Sequence, residues 1–177
     1  MGKRRLIGKI VILMLGLAAV VILAANSDTI PVSTPKKGYR VVIDPGHGGS
    51  DCGAVGVSGV KEAGLNLAVS LYLKEELEAL GMEAILTRSD ERALAEGKKA
   101  DMAARGKIMN GEGVDLVVSV HMNKFTDPSV HGPMAFYMKG SAEGEKLAKT
   151  VIDSITDELG APRRIANPGD YYVIRES

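Results

Sequence analysis

Two of the three histidines directly follow predicted β-strands, where ligand sites form in layered α/β sheets. His47 follows the β-branched run 40–43 across a Pro-Gly turn, and His121 follows the apolar run 116–120 without a break. Open α/β sheets bind ligands beyond the carboxyl ends of their strands, so both imidazoles are expected at one edge of the sheet. A single histidine there is more often structural, but a pair favours a metal site.

Glu62 is the candidate third donor. It lies three residues before Leu65 and seven before Val69, on the face of the apolar stripe in the predicted helix 61–80. A carboxylate on a buried face needs a partner, whereas the alternative is a first-turn glutamate that complements the helix dipole.

Two histidines and one glutamate, with a fourth position for water, form the ligand set of a catalytic zinc site. We therefore predict His47, Glu62 and His121 as ligands of Zn²⁺. Their wide spacing differs from the short H-E-x-x-H pattern, so the spacing alone does not identify the metal.

The elements that must position these residues alternate along the chain. Apolar periodicity and turn residues predict strands at 40–43, 84–87, 116–120, 134–138 and 170–175, and helices at 61–80, 101–110 and 141–159. Strands separated by helices predict an α/β fold, in which a layered, mixed or mostly parallel sheet is flanked by helices in a single domain.

The N-terminus predicts a signal peptide or membrane anchor at residues 1–25. Three basic residues, 3–5, precede the run 6–25, in which Lys9 is the only charged residue. This run is about as long as an apolar helix that crosses a bilayer, and the basic flank is expected to stay in the cytoplasm. The preferred A-x-A cleavage pattern is absent, which favours a retained anchor over a removed signal peptide.

Residues 26–38 predict a spacer, because they are polar and contain Pro31 and Pro35. The domain at 39–177 is then expected on the extracytoplasmic side of the membrane. Twenty-two basic and twenty-two acidic residues give a formal net charge of +0, so nucleic acid is not an expected partner. The single cysteine excludes an intrachain disulfide.

Several segments, in order from Tyr39 to the end, resemble the zinc-dependent N-acetylmuramoyl-L-alanine amidases of the peptidoglycan amidase 3 family. Its two most specific signatures here are Asp-Pro-Gly-His-Gly-Gly at 44–49 and Ser-Val-His-Met-Asn at 119–123. The stretches 121–125, 136–137 and 169–175 are most similar to the germination-specific branch of spore formers. The segments that carry the resemblance are 42–54, Glu62 with Asn66-Leu67, 86–88, Arg105 with Asn110, and 115–123.

The resemblance implies that His47, Glu62 and His121 hold Zn²⁺, the same three residues chosen above. It implies peptidoglycan as the partner and hydrolysis of the amide between N-acetylmuramic acid and L-alanine, in remodelling of the cell wall or the spore cortex. The sequence itself names no protein partner.

The family's general base is a glutamate on a later strand, and this sequence ends at Ser177 before such a strand. Glu176 follows Arg175 too closely to match it, so no catalytic base is assigned. The catalytic domain is therefore expected to lack its C-terminal segment and to have little or no amidase activity. The alternative function is a zinc-bearing peptidoglycan-binding module without turnover.

The remaining polar residues predict structural roles. His131 is expected in a surface loop, Cys52 is expected not to bind the metal, and Arg88 and Arg105 are expected to form structural ion pairs. The glycines at 46–49 could line a nucleotide site, but this loop lacks the G-x-G-x-x-G order and the P-loop lysine, so nucleotide binding is the weaker alternative.

Overall fold

The structure is a computed structural model that describes residues 38–127 and 129–176. Within these residues, strands and helices alternate. In chain order they are β1 (Arg40–Pro45), α1 (Glu62–Ala79), β2 (Glu83–Leu86), α2 (Lys98–Met109), β3 (Leu116–Val120), β4 (Phe136–Met138), α3 (Ala142–Leu159), β5 (Asn167–Gly169) and α4 (Tyr172–Arg175).

The described residues form two compact units, where the sequence predicted a single domain. One unit contains residues 38–125 together with Glu176, and the other contains residues 126–175. The predicted signal or anchor segment and all but the last residue of the spacer lie outside the described residues. No helix in the described ranges is long and apolar enough to cross a membrane.

The first unit is built on a three-stranded parallel sheet of order β2-β1-β3. The central strand β1 pairs with both neighbours, and Val41 lies opposite Ala84 of β2 and Leu116 of β3. Val42 and Ile43 are fully buried, as the β-branched run 41–43 predicts for a parallel strand covered on both faces.

Helices cover the two faces of this sheet. Val41 and Ile43 pack with Leu73 and Leu77 of α1 on one face. Because side chains alternate along a strand, Asp44 points to the opposite face, where it contacts α2. The predicted α/β class, with a parallel sheet flanked by helices, is thereby confirmed.

The second unit contains the parallel pair of β4 and β5, against which α3 packs. Ser141 caps α3, because its Oγ accepts a hydrogen bond from the Gly144 N–H at 3.0 Å. Gly160 follows the end of α3 and is left-handed with φ of 59°, a conformation that glycine adopts without strain.

The strand predicted at 170–175 is wrong. The strand lies earlier, at Asn167–Gly169, and the following residues form the short helix α4. Local contacts override the β-propensity of the Tyr-Tyr-Val-Ile run. The N–H groups of Ile174 and Arg175 both donate to the Tyr171 carbonyl at 3.0 Å, and Arg175 pairs with Asp170 at 2.7 Å.

Candidate metal centre

The three predicted ligands converge at the carboxyl edge of the first sheet. One ligand atom from each of His47, Glu62 and His121 lies within 4.8 Å of the others. His47 Nε2 is 3.2 Å from Glu62 Oε1, and His121 Nδ1 is 3.0 Å from the same oxygen. The two imidazoles meet edge to face, with 4.8 Å between ring centroids.

His47 is presented by the loop that follows β1. Its φ is +64°, the only positive φ of a non-glycine residue within the described ranges. Left-handed backbone is uncommon for a residue with a side chain, and such strain concentrates at functional sites. The loop is tied to the neighbouring strand because the Gly46 N–H donates to the Val120 carbonyl at 3.0 Å.

The other ring nitrogen of His47 faces a carboxylate that is not among the three predicted ligands. Nδ1 lies 3.0 Å from Asp51 Oδ2, four residues later. The hydrogen bond from His47 lowers the pKa of Asp51 and outweighs the effect of partial burial, so the net pKa is below its ordinary value. The sequence signal for this contact is an acidic residue at i+4 within a glycine-rich loop.

Glu62 begins α1, and its side chain is only 6% exposed. Oε2 accepts from the Ala54 N–H at 2.8 Å, and Oε1 accepts from the Met122 N–H at 3.0 Å. The alternative of a simple helix-dipole glutamate does not describe this buried carboxylate, because both oxygens are bonded within the site.

The pKa of Glu62 is set by opposing effects. Burial raises this pKa. Hydrogen bonds from the N–H groups of Ala54 and Met122, and from the side chains of His121 and Asn66, lower it by more than burial raises it. The net pKa is below the ordinary value for glutamate, so the side chain is ionised at neutral pH. A divalent cation binds a carboxylate ligand in its ionised form, which is the form that Glu62 has here.

His121 directly follows β3, as predicted, and its side chain is 46% exposed. Glu62 and His47 are more enclosed, so the cluster is open to solvent on the His121 side. A ligand approaching from solvent would therefore meet His121 first.

Arg88 supports the loop on which His47 lies. This buried guanidinium donates from Nε to the Pro45 carbonyl at 2.9 Å, and from Nη2 to the Gly46 carbonyl at 2.9 Å and the Ala63 carbonyl at 2.8 Å. The segment before His47 is thus bonded to the helix turn that carries Glu62. Burial and the nearby Arg105 cation lower the pKa of Arg88 below its ordinary value.

Arg105 supports the same loop from α2. It forms ion pairs with Asp44 and Asp101, each at 2.7 Å, and donates to the His47 carbonyl at 2.6 Å. The geometry agrees with the structural role predicted for Arg105. Arg88 also has a structural role, but it does not form the predicted ion pair. Its guanidinium donates hydrogen bonds to backbone carbonyls instead.

Three other residues considered in the sequence are not members of the described group that could hold a metal ion. His131 is exposed in a loop of the second unit, where its Nδ1 lies 2.7 Å from the Ser129 carbonyl oxygen. Cys52 is half-buried, with Sγ 3.5 Å from the Gly53 carbonyl. The Glu176 carbonyl accepts from the side chain of Asn110, just after α2.

The donor set fits zinc. A tetrahedral Zn²⁺ with bonds of about 2.0–2.2 Å separates its ligand atoms by roughly 3.3–3.6 Å. The distances from Glu62 Oε1 to the two imidazole nitrogens are 3.0 and 3.2 Å, and all three ligand atoms lie within 4.8 Å of one another. Magnesium and calcium prefer all-oxygen sites, whereas two imidazoles and a carboxylate are typical of zinc.

Comparison with known proteins gives the same family as the sequence motifs. The sequence profile described as N-acetylmuramoyl-L-alanine amidase matches residues 41–177. The chain is 34% identical over 142 residues to the germination-specific N-acetylmuramoyl-L-alanine amidase of Bacillus subtilis, an alignment covering 76% of this chain and 60% of that relative. It is 33% identical over 126 residues to AmiA of Escherichia coli, covering 71% of this chain and 42% of AmiA.

A solved structure agrees with these sequence relatives. The CwlD amidase from Clostridioides difficile, in complex with the GerS lipoprotein, matches with a TM-score of 0.72 at 27% identity, covering 77% of this chain and 76% of that one. The chain spans 60% of the length of the Bacillus relative and 42% of that of AmiA. Because the profile covers most of the sequence, the chain belongs to the N-acetylmuramoyl-L-alanine amidase family.

Proposed function

We propose that this protein is a zinc hydrolase that cleaves the amide between N-acetylmuramic acid and L-alanine in peptidoglycan. The observation that carries the proposal is the convergence of His47, Glu62 and His121 at a solvent-accessible edge of the sheet. Family membership supports the choice of substrate, since amidases of this description act on that bond.

His47, Glu62 and His121 would hold the metal. When bound, Zn²⁺ supplies Lewis-acid chemistry, because it lowers the pKa of water to about 7 and polarises a carbonyl. Glu62 contributes the one negative charge among these ligands, and its N–H donors fix the carboxylate. The exposure of His121 leaves room for a substrate amide to reach the site from solvent.

The proton acceptor for this reaction is not assigned to a residue. In the described part of the chain, the group able to hold a metal contains one carboxylate, Glu62, and its oxygens accept hydrogen bonds from Ala54 and Met122. Asp51 is the neighbouring carboxylate, and it faces His47. This observation favours a second candidate function, a zinc-bearing peptidoglycan-binding module without turnover.

We also propose that residues 39–177 act outside the cytoplasm, with residues 1–25 as a signal peptide or membrane anchor. The basic residues 3–5 and the apolar run that follows support this orientation. We expect a reporter enzyme that works only outside the cytoplasm to be active when it is fused after Thr34. Activity of a cytoplasm-only reporter at that point would contradict the orientation.

A role in germination or spore-cortex remodelling is the finer part of the proposal. It is supported by the 34% identity to the germination-specific amidase of Bacillus subtilis.

The decisive experiment measures both turnover and binding on purified peptidoglycan. The zinc-loaded chain is incubated with peptidoglycan, and newly exposed amino groups of L-alanine-bearing peptides are quantified while the bound protein is pelleted. A hydrolase gives release by the wild type and only background release by His121→Ala, because a two-ligand site rarely holds zinc against a chelator. His131→Ala is the matched control and is expected to behave as the wild type.

The two candidate functions give different results in this assay. Zinc-dependent pelleting without release supports the binding module, since loss of a general base typically costs about 10²–10⁴ in rate. Neither pelleting nor release by the zinc-loaded wild type contradicts both candidates.

A further inference from the structure

A cavity of about 550 Å³ lies at the carboxyl ends of the two parallel strands in the second unit. β4 ends at Met138 and β5 ends at Gly169, and these two residues are partners in the strand register. Both line the cavity, together with residues that follow them and with the short helix α4. Parallel sheets bind ligands beyond the carboxyl ends of their strands, and the volume is typical of a site for a small ligand.

Close packing at Gly169 holds one wall of this cavity. A Cβ at this position would lie 2.9 Å from Cδ2 of Tyr171 and 3.2 Å from Cδ1 of Ile174. The Tyr171 ring in turn packs edge to face on Phe136 of β4, with 5.0 Å between the ring centroids. The end of β5 and helix α4 are therefore held together by tertiary contacts, which give the cavity a defined shape.

The apolar part of the lining comes from Met138, Pro168 and Ile174. Met138 is 50% exposed, so apolar surface within the cavity is accessible to a ligand from solvent. The flexible methionine side chain adapts to ligand groups of different shape. This part of the lining favours a ligand that carries small apolar groups.

The charged part of the lining has an excess of positive charge. Lys139, Asp170 and Arg175 all line the cavity. Arg175 Nη1 lies 2.7 Å from Asp170 Oδ1, whereas Lys139 makes no ion pair with any residue that the structure describes. The cavity is therefore complementary to a ligand with a carboxylate.

We propose that this cavity binds the acidic peptide of peptidoglycan, with a carboxylate on Lys139 and small apolar side chains against Met138 and Ile174. The inference rests on the proposed function, which supplies the polymer. Peptidoglycan carries such a peptide on many of its repeating units, so a peptide other than the one being cleaved can bind here. A second contact to the same polymer raises the apparent affinity of the protein for it.

The test measures binding of the dipeptide L-alanyl-γ-D-glutamate to the full 177-residue chain by NMR titration. The diamide of this dipeptide lacks both carboxylates and is the control ligand. Lys139→Glu is the test variant, and Lys146→Glu is its matched control. Both lysines are exposed residues of the second unit, but Lys146 does not line the cavity.

Met138→Asp is a second test variant, which places a negative charge in the apolar part of the lining and leaves Lys139 in place. Met138 and Lys139 are both exposed, so these changes are expected to leave the fold intact. Thermal unfolding of each variant checks this.

We expect the wild type to bind the dipeptide, with shifted amide signals at Lys139 and Gly169, and to bind the diamide more weakly. Lys139→Glu should weaken dipeptide binding about fivefold or more, because an exposed ion pair is lost and a repulsive pair replaces it. Met138→Asp should also weaken binding, whereas Lys146→Glu should retain wild-type affinity.

A titration of zinc-free protein separates this inference from the proposed function. None of the three candidate metal ligands lines the cavity, so the dissociation constant is expected to be the same with and without zinc. If Lys139-dependent binding is found but the zinc-loaded chain releases nothing from peptidoglycan, the cavity is confirmed and the proposed hydrolysis fails.

Other results would overturn the role of the cavity, whether or not the amide is cleaved. These are the absence of dipeptide binding by the wild type, equal affinity for the dipeptide and its diamide, and equal affinity of Lys139→Glu and Lys146→Glu. Binding that requires zinc would also overturn it, because the peptide would then be bound at the metal centre.

Discussion

Gly46 has no side chain, and this allows the loop that carries His47 to contact the His121 ring closely. A Cβ built on Gly46 would lie 2.2 Å from Cε1 and 2.3 Å from Nε2 of His121, far inside van der Waals contact. The Gly46 backbone has no positive φ, so this glycine is required for space and not for conformation.

Gly46→Ala is therefore expected to displace the His121 ring. Overpacking of this kind costs about 1–3 kcal/mol of the free energy of unfolding. Zinc affinity should fall about tenfold or more, because a ligand ring is moved from its place. Chelator competition and urea denaturation measure the two effects.

Gly56→Ala is the matched control, since the nearest atom to its Cβ would be the Val60 carbonyl oxygen at an ordinary 3.7 Å. Wild-type zinc affinity in Gly46→Ala would show that His121 does not hold the metal in the observed position.

The residue types predicted the members of the cluster but not the contacts that fix them. His47 and His121 follow strands, so strand ends were sufficient to select them. Glu62 is buried, but not with the stripe used to select it, because Leu65 is 39% exposed. The residues buried with Glu62 at this end of α1 include Ala63, Asn66 and Ser70. Asp51 was missed because its approach to His47 depends on a turn with left-handed glycines, which composition does not specify. The N–H donors to Glu62 come from Ala54 and Met122, whose side chains carry no signal for this role.

At the scale of elements, α1 begins without a side-chain cap. Lys61 occupies the N-cap position and makes no capping hydrogen bond. The first N–H groups are bonded instead by the preceding loop, from Glu62 to the Ala54 carbonyl at 2.8 Å and from Ala63 to the Cys52 carbonyl at 3.1 Å. The start of the helix, and with it Glu62, is therefore defined by tertiary contacts.

Gly64 weakens this first turn, and Gly64→Ala is expected to stabilise the protein. Gly64 is exposed, lies within α1, and would meet no atom within 4 Å through a new Cβ. Replacing a helical glycine with alanine contributes about 0.5–1 kcal/mol. Urea denaturation should show a higher midpoint with an unchanged slope.

Gly81→Ala is the contrasting variant for this measurement. It has equally open surroundings, but its φ is +84°, so alanine would be strained there. We expect a loss of roughly 1–2 kcal/mol. A stabilising effect at both positions would mean that backbone conformation does not govern either change.

The element boundaries were predictable where apolar periodicity dominates and less so where polar contacts decide. The strand at 116–120 was predicted with its observed bounds, and α1 within one residue at each end. The helix α2 begins at Lys98, three residues before the predicted start at Asp101. Asp101 lies in the first turn, where its N–H donates to the Gly97 carbonyl at 3.0 Å. Its carboxylate accepts from the Leu94 N–H and from Arg105, each at 2.7 Å.

At the scale of the molecule, the candidate zinc site joins segments that are distant in the sequence. His47 follows β1, Glu62 opens α1 and His121 follows β3, and all three belong to the unit formed by residues 38–125 with Glu176. The unfolded chain does not hold these three side chains together, so metal binding favours the folded state.

Zinc should therefore raise the melting temperature of the protein in a concentration-dependent way. A ligand that binds only the folded state stabilises it by about 2.7 kcal/mol at a free concentration 100 times its dissociation constant. Thermal unfolding, followed by circular dichroism in zinc buffers, is expected to show a rising melting temperature for the wild type and for His131→Ala. His47→Ala and His121→Ala should lose this dependence, because each leaves two ligands of three. If the melting temperature of these two variants rises with zinc as much as that of the wild type, the metal stabilises the chain through other residues, and the three-residue centre is not its site.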